Sequence, residues 1–292
     1  MSNYLVLYNP YAGNMRGEEN ARQLTSLLPE DHLEFRDITR IGDYAAFFAQ
    51  VPEDTRIVLS GGDGTLNRFV NDTEGLPLSR EILYFAAGSG NDFLRDMERT
   101  REDGPFPIDA CLWRLPQVTV AGNTYRFLNG VGYGIDGYCC EAGDSQREKT
   151  KKPVSYTAIA IKGLLFHYKP TNAVITVDGN RRTFRHVWLA PTMNGRFYGG
   201  GMMPTPNQDR LNPEGTVSTL VLHGSGKLKT LAVFPSIFKG EHIRHTEMAE
   251  VLTGRDITVE FDRPTPIQID GETISGVTSY HVTSGKPLAP SV

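Results

Sequence analysis

A glycine-rich segment in the first third of the chain has the residue types of a phosphate-binding turn. Gly61-Gly62-Asp63-Gly64-Thr65 follows the strand pattern of residues 56–60 and precedes a helical pattern at 66–71. Glycines permit positive φ and bring backbone N–H groups close to a ligand, and the N-terminus of the following helix favours an anion. Asp63 would repel phosphate unless it contacts the Mg²⁺ that accompanies a nucleotide, or a water on that ion. The segment therefore predicts a nucleotide phosphate site, with a tight turn capped by Asp63 as the alternative.

A second segment of this kind follows the next strand pattern along the chain. In Ala86-Ala87-Gly88-Ser89-Gly90-Asn91-Asp92-Phe93, the Ser89 hydroxyl can donate to a phosphate, and Asn91 or Asp92 can cap the next helix. A third loop, Asn9-Pro10-Tyr11-Ala12-Gly13-Asn14, also follows a strand pattern. Because ligands of parallel α/β sheets bind beyond the carboxyl ends of the strands, we expect the three loops to lie together.

The elements that must position these loops alternate between strand and helix patterns up to Leu115. Helical spacing of apolar residues predicts helices, and short apolar runs predict strands. The strand patterns occupy residues 4–8, 33–38, 56–60 and 82–85, and the helical patterns occupy residues 21–28, 44–50 and 66–71. Alternation of this kind predicts parallel βαβ units and a doubly wound α/β sheet.

After Leu115 the pattern changes to strands joined by short turns. Turn residues at 121–123 and 178–180 separate paired strand patterns and predict two β-hairpins. Further strands are predicted at 216–222, 257–261 and 267–269, helices at about 155–167 and 227–238, and a surface loop at the lysine-rich residues 147–152. The 292 residues suffice for about two domains at roughly 150 residues each, so we expect the boundary near residue 115.

Composition and charge argue against several classes of protein. The net charge of −4 disfavours a nucleic-acid binder, and the three cysteines fit a reducing compartment. No run approaches the roughly 20 apolar residues of a membrane helix, and the chain begins without the pattern of a signal peptide. We expect a cytoplasmic protein in which the basic segment Lys149–Lys152 either contacts an anionic membrane surface or forms a solvated loop.

Several short motifs resemble, in the same order, those of one family. SGGDGTLN resembles the GGDGT signature shared by diacylglycerol kinases, sphingosine kinases and NAD kinases. With NPYAGN, AAGSGNDFLRD, FLNGVGYGID, YGGGM and IDGE, the chain resembles bacterial diacylglycerol kinase-like lipid kinases over nearly its whole length. The resemblance implies an NAD-kinase-like α/β domain at 1–115 that binds nucleotide, followed by an antiparallel β-sandwich at 116–292 that binds lipid. It also implies an active site in the cleft between the two domains.

The resemblance further implies which residues form the site. Nucleotide contacts fall on Asn9, Gly13, Thr39, Gly61, Gly62, Asp63, Gly64, Thr65, Leu66, Asn67, Gly88, Ser89, Asn91 and Asp92. Glu272 matches the catalytic base, which accepts the proton of the lipid hydroxyl as that hydroxyl attacks the γ-phosphorus. The alternative is a solvated Glu272 after an Asp270-Gly271 hairpin turn. Asp63, Asp92 and Asp109 match aspartates that organise the catalytic Mg²⁺ and its waters, with a surface carboxylate as the rival interpretation of each.

A second, structural Mg²⁺ or Ca²⁺ is also implied. Its ligands would be the Glu214 carboxylate and the carbonyls of Leu211 and Thr216, with Asp209 as an alternative ligand. The implied activity is that of an ATP- and Mg²⁺-dependent lipid kinase, which phosphorylates diacylglycerol or a related lipid in phospholipid biosynthesis at the inner membrane face. The rivals are an NAD kinase-like phosphorylation of a soluble substrate and a nucleotide or lipid sensor without catalysis. The sequence is compatible with a homodimer but does not specify an oligomeric state.

The segment Gly132-Tyr133-Gly134-Ile135-Asp136-Gly137 satisfies the G-x-G-x-x-G pattern of dinucleotide sites. Such a site needs a strand before it, a helix after it and an acidic residue about twenty positions later. The segment instead lies where the β domain is expected to begin, so a dinucleotide site is not predicted.

Overall fold

The computed structural model describes residues 2–77, 80–88, 91–150, 159, 163 and 168–285. The chain divides into two compact units, Met1–Trp113 and Arg114–Val292. The first contains a mostly parallel sheet and the second an antiparallel sheet, which confirms the mixed α/β class. Ser89, Lys151, Lys152 and nearly all of the helix predicted at 155–167 lie outside the described residues.

The sheet of the first unit has five strands in the described residues: β1 (Asn3–Tyr8), β2 (His32–Asp37), β3 (Arg56–Gly61), β4 (Ile82–Ala86) and β5 (Phe106–Pro107). Their spatial order is β2-β1-β3-β4-β5, and β5 alone among them runs antiparallel to its neighbour. The apolar runs of β1, β3 and β4 are buried, as expected for strands covered on both faces. Strand order reverses between β1 and β3, and doubly wound sheets bind ligands at such a switch point.

The helices of the first unit are short, and all but α7 connect these strands: α1 (Ala12–Met15), α2 (Gly17–Arg22), α3 (Leu24–Leu27), α4 (Tyr44–Phe48), α5 (Asp63–Asp72), α6 (Asp92–Asp96) and α7 (Asp109–Leu112). Single 3₁₀ turns lie at Ile38–Arg40 and Arg101–Asp103. The single helix expected at 21–28 is wrong, because the Gln23 N–H bonds to the Asn20 carbonyl in a tightened turn that separates α2 from α3. In α5, Asp63 occupies the first turn, where a carboxylate stabilises the helix dipole.

The second unit has ten strands in the described residues, and they pair antiparallel. They are β6 (Gln117–Val120), β7 (Asn123–Arg126), β8 (Gly130–Tyr133), β9 (Thr171–Val177), β10 (Asn180–Val187), β11 (Thr192–Met193), β12 (Val217–Leu222), β13 (Ala249–Gly254), β14 (Asp256–Ile269) and β15 (Glu272–Thr283). The order is β13-β12-β11-β8-β14-β15-β6-β7, and β9 joins β10 to β14. The two predicted hairpins are confirmed as β6–β7 and β9–β10.

One strand and one helix of the second unit differ from the prediction. The strands expected at 257–261 and 267–269 are a single strand, β14, because irregular pairing with β15 between Glu260 and Ile267 distorts the ladder without ending it. Helix α8 (Ile135–Thr150) includes the first part of the surface loop predicted at 147–152, so that prediction is wrong as far as Thr150. Helix α9 (Lys227–Val233) continues as a 3₁₀ helix to Lys239. No helix in the described part of the chain combines the length and apolar character needed to cross a bilayer.

The G-x-G-x-x-G segment at 132–137 does lie between a strand, β8, and a helix, α8, contrary to the sequence interpretation. However, β8 pairs antiparallel with β11 and β14, whereas the dinucleotide-binding fold places this turn after a parallel strand. A Cβ at Gly134 would overlap the Trp188 carbonyl oxygen, and a Cβ at Gly137 would overlap that of Pro266. Close backbone packing therefore accounts for these glycines.

Candidate functional site

Four loops leave the carboxyl edge of the parallel sheet in the first unit. They follow β1, β2, β3 and β4, and the predicted contact residues on them include Asn9, Thr39, Gly62 and Gly88. The pairing register places Tyr8 beside both Asp37 and Ser60, and Gly61 beside Ala86, so the four strands end level with one another. The structure therefore gathers these loops at one edge, around the switch point between β1 and β3.

Asn9 joins the first loop to the Gly61–Thr65 turn. Its backbone N–H donates to the Ser60 carbonyl at 3.1 Å, and its side-chain amide donates to Thr65 Oγ1 at 2.9 Å. Its Oδ1 accepts from the backbone N–H of Tyr11 at 3.0 Å, which folds the loop back on itself. Asn9 thus fixes the relative position of two loops, a role that the motif alone did not indicate.

Gly13 brings the first loop against the end of β4. Its φ of +57° lies in the left-handed region, and a Cβ there would be 2.5 Å from the Ala87 carbonyl oxygen. The buried side-chain amide of Asn20 donates to the same oxygen at 3.0 Å. A side chain at position 13 would separate the loop from β4, so packing requires the glycine.

The two glycine-rich turns contact each other backbone to backbone. A Cβ at Gly88 would lie 2.6 Å from the Gly62 Cα. A Cβ at Gly61 would overlap the Thr65 side chain. Gly64 differs, because it is exposed in the first turn of α5 and a Cβ there would have no atom within 4 Å. A Cβ at Gly62 would lie 3.3 Å from the Gly88 Cα, which is a tight contact but not an overlap. Packing therefore explains glycine at positions 61 and 88 but not at position 64.

Asp63 holds the second glycine-rich turn through its carboxylate. Its two oxygens accept hydrogen bonds from the backbone N–H groups of Asp92 at 2.8 Å and Phe93 at 3.3 Å, at the N-terminus of α6. Asp92 itself is buried, and its carboxylate lies 3.8 Å from the Arg95 guanidinium. A carboxylate oxygen can accept a hydrogen bond and also bind a cation or its waters. Asp63 and Asp92 are therefore hard oxygen ligands of the kind that Mg²⁺ prefers.

Two residues near these turns were not predicted. The buried Tyr84 hydroxyl donates to the Gly61 carbonyl at 3.1 Å, and the Arg101 guanidinium donates to the Gly88 carbonyl. Burial raises the pKa of Tyr84 well above its usual value, and the nearby Asp63 charge raises it further, so the hydroxyl stays protonated. Arg101 adds a positive charge beside a turn that is expected to face phosphate. No spacing in the sequence signals either contact, because tertiary packing brings these residues together.

Three further residues predicted to contact nucleotide form local hydrogen bonds. The exposed Thr39 hydroxyl donates to Asp37 Oδ1 at 2.7 Å. The Asn67 carbonyl accepts from a side-chain amide one turn later in α5, at 2.9 Å. The Asn91 amide donates to the Gly88 carbonyl at 3.0 Å, which shapes the second turn. Thr39 and Asn91 therefore shape loops at the carboxyl edge, whereas the Asn67 contact stays within α5.

Asp109 lies at the opposite end of the sheet from these loops. Its carboxylate accepts from the backbone N–H of Ile82, the first residue of β4, at 3.3 Å, whereas Gly88 follows the other end of that strand. At about 3.3 Å per residue, β4 alone separates these two ends by roughly 13 Å. This position argues against the catalytic role predicted for Asp109, which instead holds the start of β4. Leu66 is fully buried, so its side chain packs in the core and does not face a ligand.

The D-G-E motif of the second unit forms a hairpin turn. Asp270 and Gly271 have φ of +46° and +96°, and Ile269 pairs with Glu272 across the turn. Positive φ at both central residues is characteristic of a type I′ turn, for which Asp-Gly is a favoured sequence. Glu272 is exposed at the first position of β15. The turn considered as the alternative is thus present, and the catalytic role of Glu272 remains a prediction.

Asp270 connects this turn to the FLNGVGYGID motif. Its carboxylate accepts from three backbone N–H groups, those of Leu128, Asn129 and Gly130. The buried Arg210 donates to the Leu128 carbonyl at 3.2 Å and to Asn129 Oδ1 at 3.1 Å. Charge-assisted hydrogen bonds therefore fix the hairpin that carries Glu272 to the segment that enters β8.

In the loop predicted to hold a structural cation, at residues 211–216, side-chain amides donate hydrogen bonds to a predicted ligand. The Thr216 carbonyl, a predicted ligand, accepts from the Gln208 amide at 2.9 Å and from the Asn212 amide at 3.0 Å. Glu214 is exposed. Across the described ranges, no cluster of three or more His, Cys, Asp or Glu side chains has a metal-binding arrangement. The residues present do not fit the structural cation that the resemblance implies at Leu211, Glu214 and Thr216.

Comparison with protein families covers almost all of the chain. Residues 3–115 match the diacylglycerol kinase catalytic domain, and residues 129–287 match the YegS C-terminal NAD kinase beta sandwich-like domain. The second match alone spans more than half of the chain. The chain therefore belongs to the family of bacterial diacylglycerol kinase-like lipid kinases.

Individual relatives agree with this assignment. The chain is 24% identical to YtlR of Bacillus subtilis (strain 168), over 97% of this chain and 97% of that protein. It is 26% identical to a diacylglycerol kinase of Mycobacterium tuberculosis (strain CDC 1551 / Oshkosh), over 71% of this chain and 67% of the relative. The crystal structure of a diacylglycerol kinase from Bacillus anthracis str. Sterne is similar, with a TM-score of 0.60 and 18% identity, over 97% of this chain and 94% of that one. At this identity the structural likeness supports the fold alone.

Proposed function

We propose that the protein is an ATP- and Mg²⁺-dependent kinase that transfers the γ-phosphoryl group of ATP to a hydroxyl of diacylglycerol or a related lipid. Its lipid kinase family and the diacylglycerol kinases among its relatives support this reaction. In this proposal, residues 1–115 bind the nucleotide and residues 116–292 bind the lipid acceptor. The observation that carries the nucleotide part is the convergence of four loops at the carboxyl edge of the parallel sheet.

The phosphates of ATP are proposed to bind at the N-terminus of α5. The first N–H groups of a helix have no acceptor within the helix, and the helix dipole favours an anion there. Gly64 lies in this first turn, and no packing contact requires it to be glycine. We infer that glycine occupies this position because a phosphate approaches its backbone. Asn9 and Asn91 support this arrangement by holding the loops on either side.

Asp63 and Asp92 would hold Mg²⁺, together with water and the phosphates of ATP. When bound, the ion neutralises charge on the β- and γ-phosphates as transfer proceeds. Asp63 also anchors α6 through two backbone N–H groups, so one side chain couples the metal position to the second glycine-rich turn. Arg101 donates to the Gly88 carbonyl and adds positive charge at the same turn.

Glu272 is proposed to remove the proton of the acceptor hydroxyl. As the hydroxyl oxygen forms its bond to the γ-phosphorus, the bond from that phosphorus to the β,γ-bridging oxygen breaks, and ADP leaves. The exposed Glu272 carboxylate stands on a hairpin that Asp270 anchors through three backbone N–H groups. An anchored hairpin limits reorientation of the base, and this rigidity supports the proposed role.

The acceptor of this reaction lies in a lipid bilayer, so we propose that the enzyme works at the inner face of the membrane. The lysine-rich residues 149–152 would provide an electrostatic contact with anionic lipid. Sedimentation with vesicles measures this contact: binding should increase with anionic lipid content and decrease in high salt. Binding that is equal for neutral and anionic vesicles would contradict the contact.

A lipid phosphorylation assay tests the proposed reaction. The purified chain is incubated with γ-labelled ATP, Mg²⁺ and vesicles that contain diacylglycerol, and in parallel with NAD. We expect label in the lipid extract, on the phosphorylated acceptor. Label in NADP without label in lipid would favour the NAD kinase-like activity, and ATP binding without transfer to either acceptor would favour a sensor.

Glu272→Gln separates catalysis from binding in this assay. The substitution keeps the size of the side chain but removes the proton acceptor, so transfer should fall by about tenfold or more while ATP affinity is unchanged. Glu260→Gln, which changes an exposed glutamate on β14, is the matched control and should retain full activity. Unchanged turnover of the Glu272→Gln variant would exclude Glu272 as the base.

A further inference from the structure

Asn212 lies at the centre of the loop formed by residues 208–216, here called the amide loop. Its two side-chain N–H groups donate to the Asp209 carbonyl at 2.6 Å and to the Thr216 carbonyl at 3.0 Å. Its Oδ1 accepts from the Thr216 backbone N–H at 2.8 Å and from the Thr216 hydroxyl at 3.2 Å. All four hydrogen-bonding positions of this amide are therefore used within the loop.

These hydrogen bonds occupy one of the two carbonyls that a cation would need. The Thr216 carbonyl also accepts from the Gln208 amide at 2.9 Å, so both lone pairs of that oxygen are engaged. The Asp209 carboxylate accepts from the backbone N–H of Leu211 at 2.8 Å. Glu214, whose carboxylate would be the charged ligand, is exposed.

Positive charge already lies against the amide loop. The buried Arg114 guanidinium donates to the Asn212 carbonyl. Arg210, which belongs to the loop, is also buried and donates to the Leu128 carbonyl. The loop and the segment beside it therefore already receive hydrogen bonds from two cationic side chains.

We propose that the Asn212 side chain takes the place of a structural cation, so that the second unit folds without a divalent metal. The amide nitrogen joins the Asp209 and Thr216 carbonyls across the loop, as a cation bound to both oxygens would. Because the amide is neutral, the loop needs no carboxylate ligand, which agrees with the exposed position of Glu214. This inference concerns the folding of the second unit, and it is independent of the Mg²⁺ that the proposed reaction uses.

Asn212→Asp tests whether the amide nitrogen stands at a cation position. Aspartate keeps the acceptor oxygen for Thr216 and exchanges the amide nitrogen for a carboxylate oxygen that faces two carbonyls. These oxygens repel one another in EDTA and become ligands when Mg²⁺ or Ca²⁺ is added. In the absence of ATP, we expect the unfolding midpoint of the variant to rise by about 5 °C or more in millimolar Mg²⁺ or Ca²⁺ relative to EDTA. The wild-type midpoint should stay within about 1 °C under the same conditions.

Asn207→Asp is the matched control for added charge. Asn207 is exposed and lies just before the amide loop, so its aspartate variant should show no specific response to either cation. Equal cation responses of the two aspartate variants would overturn the proposal, as would a wild-type protein that loses stability in EDTA and regains it with Mg²⁺ or Ca²⁺. If Asn212→Asp does not fold, the stability of the wild-type protein in EDTA and in Mg²⁺ or Ca²⁺ still decides whether a structural cation is needed. Elemental analysis of wild-type protein dialysed after exposure to Ca²⁺ should find no stoichiometric ion.

Discussion

Replacing Gly64 with alanine tests whether this glycine contributes to ATP binding and not to packing. Gly64 lies in the first turn of α5, outside the left-handed region of φ, and an added Cβ would have no atom within 4 Å. The fold should therefore accept the methyl group. The proposed function assigns the backbone at this position to a phosphate of ATP, which the same methyl group would obstruct.

The two effects of this substitution have opposite signs. Alanine is favoured over glycine in a helix by about 0.5–1 kcal/mol, because glycine loses more conformational freedom on folding. For a unit of roughly 100 residues, this free energy raises the unfolding midpoint by about 2–8 °C. An obstructed phosphate contact should weaken ATP binding by about tenfold or more, which corresponds to about 1.4 kcal/mol.

Calorimetric unfolding and titration with ATP measure these two effects on the same preparation. Gly226→Ala is the matched control, because Gly226 is also exposed with no atom within 4 Å of an added Cβ, but lies in the second unit, outside the four loops. It should leave ATP affinity unchanged. A Gly64→Ala protein that binds ATP as tightly as the wild type would refute the proposed phosphate contact. A Gly64→Ala protein less stable than the wild type would refute the packing argument.

Two further changes test the stability of each unit. Gly88→Ala places a Cβ 2.6 Å from the Gly62 Cα, where the backbones of the two turns meet. The substitution should lower the free energy of unfolding, measured in urea, by about 1–3 kcal/mol. Unchanged stability would show that the two turns do not touch. His242 is buried with its Nε2 2.9 Å from the Pro204 carbonyl oxygen, and burial holds its pKa below the usual value of 6.5 because it disfavours the charged ring. The unfolded chain then binds the proton more readily, so stability should decrease as the pH falls below about 6.5. Urea unfolding between about pH 8 and pH 5 should show a smaller decrease for His242→Gln than for wild type, and equal slopes would contradict this assignment.

Local patterns predicted most elements of the first unit, because β1, β3 and β4 are short apolar runs that end at glycine or polar turn residues. The hairpin at Asp270-Gly271 was also accessible, since it depends on the conformational freedom of two adjacent residues. β8 and the first part of α8 were missed. The glycine-rich β8 lacks a run of β-branched residues. In α8, Gly137 and Gly143 interrupt the first turns, although Ile135, Tyr138 and Cys139 have helical spacing and pack in the core.

The candidate site was predictable as a set of segments but not as an arrangement of atoms. GGDGT indicated a phosphate turn, whereas the bonds from Asp63 to the N-terminus of α6 depend on how two βα units pack. Asp109 and Gly88 belong to neighbouring segments of the sequence, yet they lie at opposite ends of β4 because the chain returns antiparallel in β5 before Asp109.

The sequence by itself determined where turns and glycine loops occur, because these depend on the steric freedom and hydrogen bonding of adjacent residues. It also carried the ordered motifs of the lipid kinase family. Only the tertiary structure decided which glycines are required by packing, and Gly64 is not one of them. It also decided that the Asn212 amide donates hydrogen bonds to two carbonyls of the loop expected to hold a cation. These outcomes depend on distances between segments that strand order and register bring together, and one-dimensional spacing does not contain those distances.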